Sequence, residues 1–275
     1  MNKIIIIGML VFAFGKCDFL RANAITIEVI DSLNDVCYDV CGSDPDASFQ
    51  MAQNILKRAE KIDYVGGQMT ALCRMGRAVY RQNELDSALH YYDLSQQLFL
   101  EKGTDSDSLF LAKTYVYQGL VNKKKGNLDL AASKYQEAYY IAKGCGDEEL
   151  MSYCLINSSN IYITREEFKE AHLLLNDALS SFSADNPENI ALVHLNIGNI
   201  YDLEERYRDA SDAYRKALFR FRKAKDSLGI AKSLLSIGNI CLKKDQPDSA
   251  RYYYNQTHKI AVKHQFHGVL AKTYQ

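Results

Sequence analysis

Tryptophan is absent from the 275 residues, and proline occurs only 3 times. So little proline favours long uninterrupted helices, because its ring clashes with the preceding turn and it lacks a backbone donor. Aromatic packing then falls on 19 tyrosines and 11 phenylalanines. A charge excess is missing as well. The formal net charge is −1, which argues against a nucleic-acid binder that must displace counterions with a basic surface. The sequence has no Gly-x-Gly-x-x-Gly, no phosphate loop and no His-Glu-x-x-His. It has no Cys-x-x-Cys either, so a redox motif or zinc knuckle is unsupported. His264 and His267 are three apart but have no acidic or cysteine neighbour to complete a metal site. The expectation is a chain that is not an enzyme, with no cofactor, no metal and no nucleic-acid partner.

The amino terminus reads as a targeting segment. Lys3 gives a positive start, Ile4 to Gly15 is uncharged and apolar, and Ala22-Asn23-Ala24 puts small residues where a signal peptidase reads. The apolar run is short for a membrane-spanning helix, and no second one is long enough. Cleavage is expected after Ala24, giving an exported protein of the bacterial periplasm or cell envelope. A lipid anchor at Cys17 is the weaker expectation, because Lys16 precedes it where such signals carry a small residue. Cys37, Cys41, Cys73, Cys145, Cys154 and Cys241 remain. Export would allow pairing, with Cys37 and Cys41 on one helical face and Cys145 and Cys154 across a turn. Most of the six, however, fall at apolar helix positions, where a free cysteine acts as a small hydrophobe.

Self-similarity is the main signal. Asn196-Ile197-Gly198-Asn199-Ile200 reappears as Ser236-Ile237-Gly238-Asn239-Ile240. Ala210 and Ala250 follow the two glycines by twelve residues, and Tyr214 and Tyr254 come four later. Upstream, Gly76 leads to Ala88 and Tyr92, Gly119 to Ala131 and Tyr135, and Ser159 to Ala171 and Leu175. The alanine register is 88, 131, 171, 210 and 250, a period close to 40. Apolar spacings of three and four make each half an amphipathic helix. Turns are marked by Gln82-Asn83, Gly126-Asn127, Asp185-Asn186-Pro187 and Asp245-Gln246-Pro247-Asp248, and Gly144-Cys145-Gly146 reads as a helix end. Asp86, Asp129 and Asp248 are expected to open second helices and to satisfy their free amide donors. Lys123-Lys124-Lys125 and Lys243-Lys244 follow first helices, where cations complement the carbonyl end.

The set Gly198, Tyr201, Ala210, Tyr214 and Ala217 resembles the signature of the tetratricopeptide repeat family. The resemblance covers residues 66 to 275 in units of about 66–106, 107–148, 149–187, 188–227 and 228–267, with a looser half-unit or cap over 25–65. It departs in period, since the usual repeat has 34 residues, and this implies longer helices. The tryptophan common in first helices is replaced by Leu72, Tyr115, Leu155, His194 and Leu234. Leu111-Ala112-Lys113-Thr114-Tyr115 reappears as Leu270-Ala271-Lys272-Thr273-Tyr274, so a sixth unit is expected to begin at the carboxyl end. The resemblance implies an all-α, right-handed superhelical solenoid that binds a protein or peptide reversibly. An alternative is the sensory part of a signal-transduction or transcription-regulatory protein cut after the repeats. A membrane link would then arise only through lipidation or further chain, and self-association through the open last repeat is a further expectation.

In that family first helices line the concave surface. Asn160, Asn199 and Asn239 hold one register position in three units, and Asn157 and Asn196 sit one turn earlier. Helices pack about 8–10 Å apart and an extended peptide rises about 3.3 Å per residue. One amide per unit could therefore meet a peptide backbone about every third residue, as donor and acceptor. The competing reading is that these asparagines bond to the adjacent helix and hold the stack. Gly76 and Gly119 are followed by Arg77 and Leu120, so the series does not run through the whole array.

Overall fold

The computed structural model describes residues 26–181 and 187–273. The expected signal segment 1–24, with Cys17, lies outside them, as do Asp185, Asn186 and Tyr274. Thirteen α-helices and a short 3-10 turn make up the described residues, with no strand among them. They are α1 Ile27–Val40, α2 Pro45–Lys61, α3 Val65–Arg81, α4 Leu85–Lys102, α5 Ser108–Lys124, α6 Leu128–Cys145, α7 Glu148–Thr164, α8 Phe168–Ser181, α9 Pro187–Leu203, α10 Tyr207–Ala224, α11 Ser227–Lys243, α12 Pro247–Lys263 and α13 His267–Thr273. The chain divides into two compact units, 1–121 and 122–275.

Helix length accounts for the long period. First helices α3, α5, α7, α9 and α11 have 17 residues, and second helices α4, α6 and α10 have 18. Within the amino-terminal unit α1 packs on α2, α2 on α3 and α3 on α4, and within the carboxyl-terminal unit each helix from α6 to α12 packs on the next; first helices of one unit also touch, as α1 with α3 and α9 with α11. This is the contact pattern of stacked helix pairs, in which each unit buries its apolar face on its neighbours. The segment 25–65, read as a half-unit from sequence, carries the two packed helices α1 and α2.

Most of the turns are built alike. At most of the described turns, though not after α1 or α4, a backbone N–H reaches back five residues to close the end of the preceding helix, as Glu84 N to Val79 O at 2.9 Å, Arg206 N to Tyr201 O at 2.8 Å and Asp226 N to Phe221 O at 3.0 Å. Such closure needs one left-handed residue just past the helix. Gly126 (φ 84°) and Gly146 (φ 72°) supply it at two turns, but Glu166, Glu205, Lys225 and Gln265 take the same conformation at φ 57–60°. Entry into helices is more varied. Asp44, Asp147 and Asp226 accept from backbone N–H groups at 2.9 Å and act as true caps, and Pro45 and Pro247 begin their helices. Asp86, Asp129 and Asp248 differ from the sequence expectation. They lie in the first turn, beyond cap positions held by Glu84, Asn127 and Gln246, none of which makes a side-chain cap bond. Their carboxylates there favour the helix dipole, and Asp129 pairs with Arg165, the residue just past α7.

The small residues of the register are where helices come closest. A Cβ on Gly76 would lie 2.5 Å from the Tyr92 ring, and one on Gly198 would lie 2.5 Å from Tyr214. Ala88, Ala131, Ala171 and Ala210 are fully buried and Ala250 nearly so. At the positions usually held by tryptophan, Leu72, Leu155 and Leu234 are buried. His194 is half-buried there, and burial, with the charges of Lys216 and Arg220 added, lowers its pKa.

All six cysteines among the described residues are free thiols, so neither Cys37–Cys41 nor Cys145–Cys154 is paired. Cys37, Cys41, Cys73, Cys154 and Cys241 are buried and Cys145 is exposed. Burial pushes the Cys154 thiol up to about 12 and raises Cys37 and Cys73 as well. Because the thiolate is the reactive form, Cys145 should be alkylated first among the six in the native protein. Mass spectrometry of labelled peptides should find the other five modified only on unfolding.

Candidate functional site

Asn199 and Asn239 stand on the outer edge of α9 and α11, each one residue after the glycine on which a tyrosine ring packs. The Tyr214 hydroxyl of α10 donates to Asn199 Oδ1 at 2.9 Å. The Tyr254 hydroxyl of α12 donates to Asn239 Oδ1 at 2.9 Å. Glycine, asparagine and tyrosine therefore form one device: the small residue admits the ring, and the ring carries a hydroxyl to the neighbouring amide. The acceptor half of each amide is engaged within its own helix pair. The Nδ2 donors of both have no partner among the described residues and are half-buried on Asn199 and exposed on Asn239.

Both asparagines line a single cleft of about 530 Å³ on the first-helix face of the carboxyl-terminal unit. Leu195, Leu228, Leu235, Phe266 and Val269 make its apolar surface, and Lys232 and Lys272 bring positive charge. No carboxylate lines it. The cleft offers amide donors, two ammonium groups and apolar surface, which suits a ligand with carbonyl or carboxylate acceptors and apolar side chains.

The other asparagines of the series have different surroundings. Asn160 follows Ser159, and its second helix carries Leu175 where Tyr214 and Tyr254 stand, so no phenol reaches it. Asn157 is buried and donates through Nδ2 to Tyr153 O of its own helix at 2.8 Å. Asn196 is buried at 9% exposure. Neither Asn157, Asn160 nor Asn196 lines the cleft. In the amino-terminal unit the same register position is Arg77, which stacks 3.3 Å from the Tyr38 ring centroid.

Sequence reading missed an acidic cleft of about 540 Å³ in the amino-terminal unit. Its signal was the spacing of Asp31, Asp35 and Asp39, four apart on α1, in a segment the repeat register does not reach. Among the described residues no group of three or more His, Cys, Asp or Glu is placed to hold a metal ion. His264 stacks on Phe266 instead. No helix among those residues is long and apolar enough to cross a membrane.

Paired helices of this length, with glycine, alanine and tyrosine in fixed register, define an α-helical repeat protein. A tetratricopeptide-repeat family model matches residues 189–261. The fold is similar to the apo form of the quorum sensor NprR from B. thuringiensis, at TM-score 0.70 and 16% identity, over 94% of this chain and 73% of that one. It is also similar to BtubC from P. vanneervenii, at TM-score 0.68 and 17% identity, over 80% and 92%. A Rap protein complexed with competence and sporulation factor matches at TM-score 0.66 and 13% identity, over 90% and 80%. No curated protein matches. Residues 189–261 thus carry tetratricopeptide repeats, and the described residues share the helical repeat fold of these solved structures.

Proposed function

We propose that this protein is a non-enzymatic scaffold that binds an extended polypeptide on its first-helix faces and is exported to the bacterial cell envelope. The observation that carries the binding reading is the pair Asn199 and Asn239. Each is fixed by a tyrosine hydroxyl, each has a free amide donor, and both face one apolar cleft. Held donors of this kind meet a peptide backbone without further ordering cost, and the backbone is common to all peptides. NprR has been solved with its cognate peptide NprX, which supports a peptide as the class of ligand for this fold. The export reading rests on the leader pattern of residues 1–24. The sensory-regulator alternative is equally compatible with these neighbours, and it shares the same binding chemistry.

Asparagine to aspartate separates binding from stacking. Asn199→Asp with Asn239→Asp retains an acceptor for Tyr214 and Tyr254 and removes both amide donors. Each lost hydrogen bond is worth about 0.5–1.5 kcal/mol, so affinity for a captured native peptide should fall about tenfold or more. The melting temperature should stay within about 2 °C of the parent. Unchanged capture by the double variant would overturn the role of these amides.

A further inference from the structure

The acidic cleft of the amino-terminal unit differs in chemistry from the asparagine cleft. Asp31, Asp35 and Asp39 form one stripe of α1, because residues four apart share a helix face. At 1.5 Å per residue the stripe runs about 12 Å. Three like charges in a row oppose helix formation, and internal contacts offset little of this. Asp31 accepts from the Tyr64 hydroxyl at 3.0 Å. Asp35 stands 4.0 Å from Arg74, at the limit of an ion pair. All three aspartates are exposed to solvent.

Cations enter the same cleft from other helices. Arg74 of α3 has a side chain only 12% exposed, its Nε donates to Asn34 O at 2.9 Å, and the Tyr38 ring covers it at 4.7 Å. Lys113 of α5 lines the cleft and makes no ion pair among the described residues. Asn34 is 2% exposed and part of the same lining. Its Nδ2 donates to Gly67 O at 3.5 Å, and its Oδ1 has no hydrogen-bond partner among the described residues. A buried amide oxygen without a donor is unfavourable, and a ligand N–H would correct it. Phe110 and Tyr117 supply apolar surface beside these groups.

We propose that this cleft binds a zwitterion of free amino acid or dipeptide size. Its ammonium group is taken by the carboxylate of Asp35, in the negative field of Asp31 and Asp39 on either side, with an N–H directed to Asn34 Oδ1. Its carboxylate is taken by the remaining Arg74 donors and by Lys113, and its side chain lies against Phe110 and Tyr117. A simple cation would meet Arg74 and Lys113, and a simple anion would meet three carboxylates. Only a ligand with both charges close together satisfies both sets. The volume of about 540 Å³ falls within the range of small-molecule sites.

The test uses the full chain and calorimetric titration with the twenty free amino acids, leucyl-tyrosine, and that dipeptide N-acetylated or C-amidated. At least one uncapped probe should bind, and leucyl-tyrosine should lose at least tenfold in affinity on either capping. Lys113→Gln and Asp39→Asn, both at exposed positions, should each weaken binding by about fivefold or more with the fold intact. The Asn199→Asp, Asn239→Asp protein should bind as the parent does, which keeps this site distinct from the asparagine cleft. Silence from every uncapped probe, equal binding of capped and uncapped dipeptide, or indifference to both charge variants would overturn the proposal.

Discussion

Phe221→Ala is expected to lower stability by about 3–5 kcal/mol, the range for emptying a buried aromatic site. Phe221 closes α10 and is fully buried, and its ring lies where a Cβ on Gly229 of α11 would sit, 2.2 Å away. The contact joins one helix pair to the next. In a stacked repeat, stability is roughly the sum of unit terms and nearest-neighbour terms, and this substitution removes a nearest-neighbour term. The melting temperature should fall by roughly 10 °C. Hydrogen exchange should quicken in α11 to α13 more than in α9. Gly229→Ala tests the same contact from the other side. Overpacking costs about 1–3 kcal/mol, and a helical alanine recovers up to about 1 kcal/mol over glycine. The single change should therefore still destabilise. Combined with Phe221→Ala it should cost less than the sum, because the methyl enters vacated space. Strict additivity would show that the ring does not contact Gly229 in solution.

Much of this architecture is legible in the sequence. The Gly, Ala and Tyr register at a period near 40 fixed the helix pairs, and Pro247 and Gly126 marked a helix start and a turn. The turns at Glu166, Glu205, Lys225 and Gln265 carried no such mark. Their left-handed residue is imposed by closure of the preceding helix, and side chains that prefer other conformations tolerate it at a cost of about 1 kcal/mol or more. The role of Asp86, Asp129 and Asp248 was displaced by two positions, because a charge near a helix start serves the dipole without capping it. The asparagine ladder was visible as a register. Its division into Asn199 and Asn239 against Asn160 depended on whether a tyrosine or Leu175 stood sixteen residues after the small residue. The acidic cleft was hidden because Asn34 and Arg74 are forty residues apart and only the packing of α1 on α3 brings them together.

The tyrosine that holds Asn199 also holds its own helix pair, and Tyr214→Ala should cost about 3–4 kcal/mol. Tyr214 is 2% exposed, and its ring lies across Gly198, where a Cβ would meet two ring carbons at 2.5 Å. Unlike Phe221, it joins α9 to α10 inside one unit, so the hydrogen-exchange response should centre on those two helices. Gly198→Ala pits overpacking of about 1–3 kcal/mol against a helix gain of up to about 1 kcal/mol. The clash should win there, because the ring is buried on one side and tied through its hydroxyl on the other. Gly238→Ala presents the same geometry with more freedom. The nearest ring atom of Tyr254 is 2.7 Å away and that ring is only half-buried. It can turn aside, so Gly238→Ala should be close to neutral in stability yet loosen Asn239. Urea denaturation of the two alanine variants, with peptide capture by each, checks the pair. A larger loss of stability at Gly238 than at Gly198 would show that burial of the ring does not set the cost. Unchanged capture by a stable Gly238→Ala protein would show that the tyrosine tie does not organise the amide for binding.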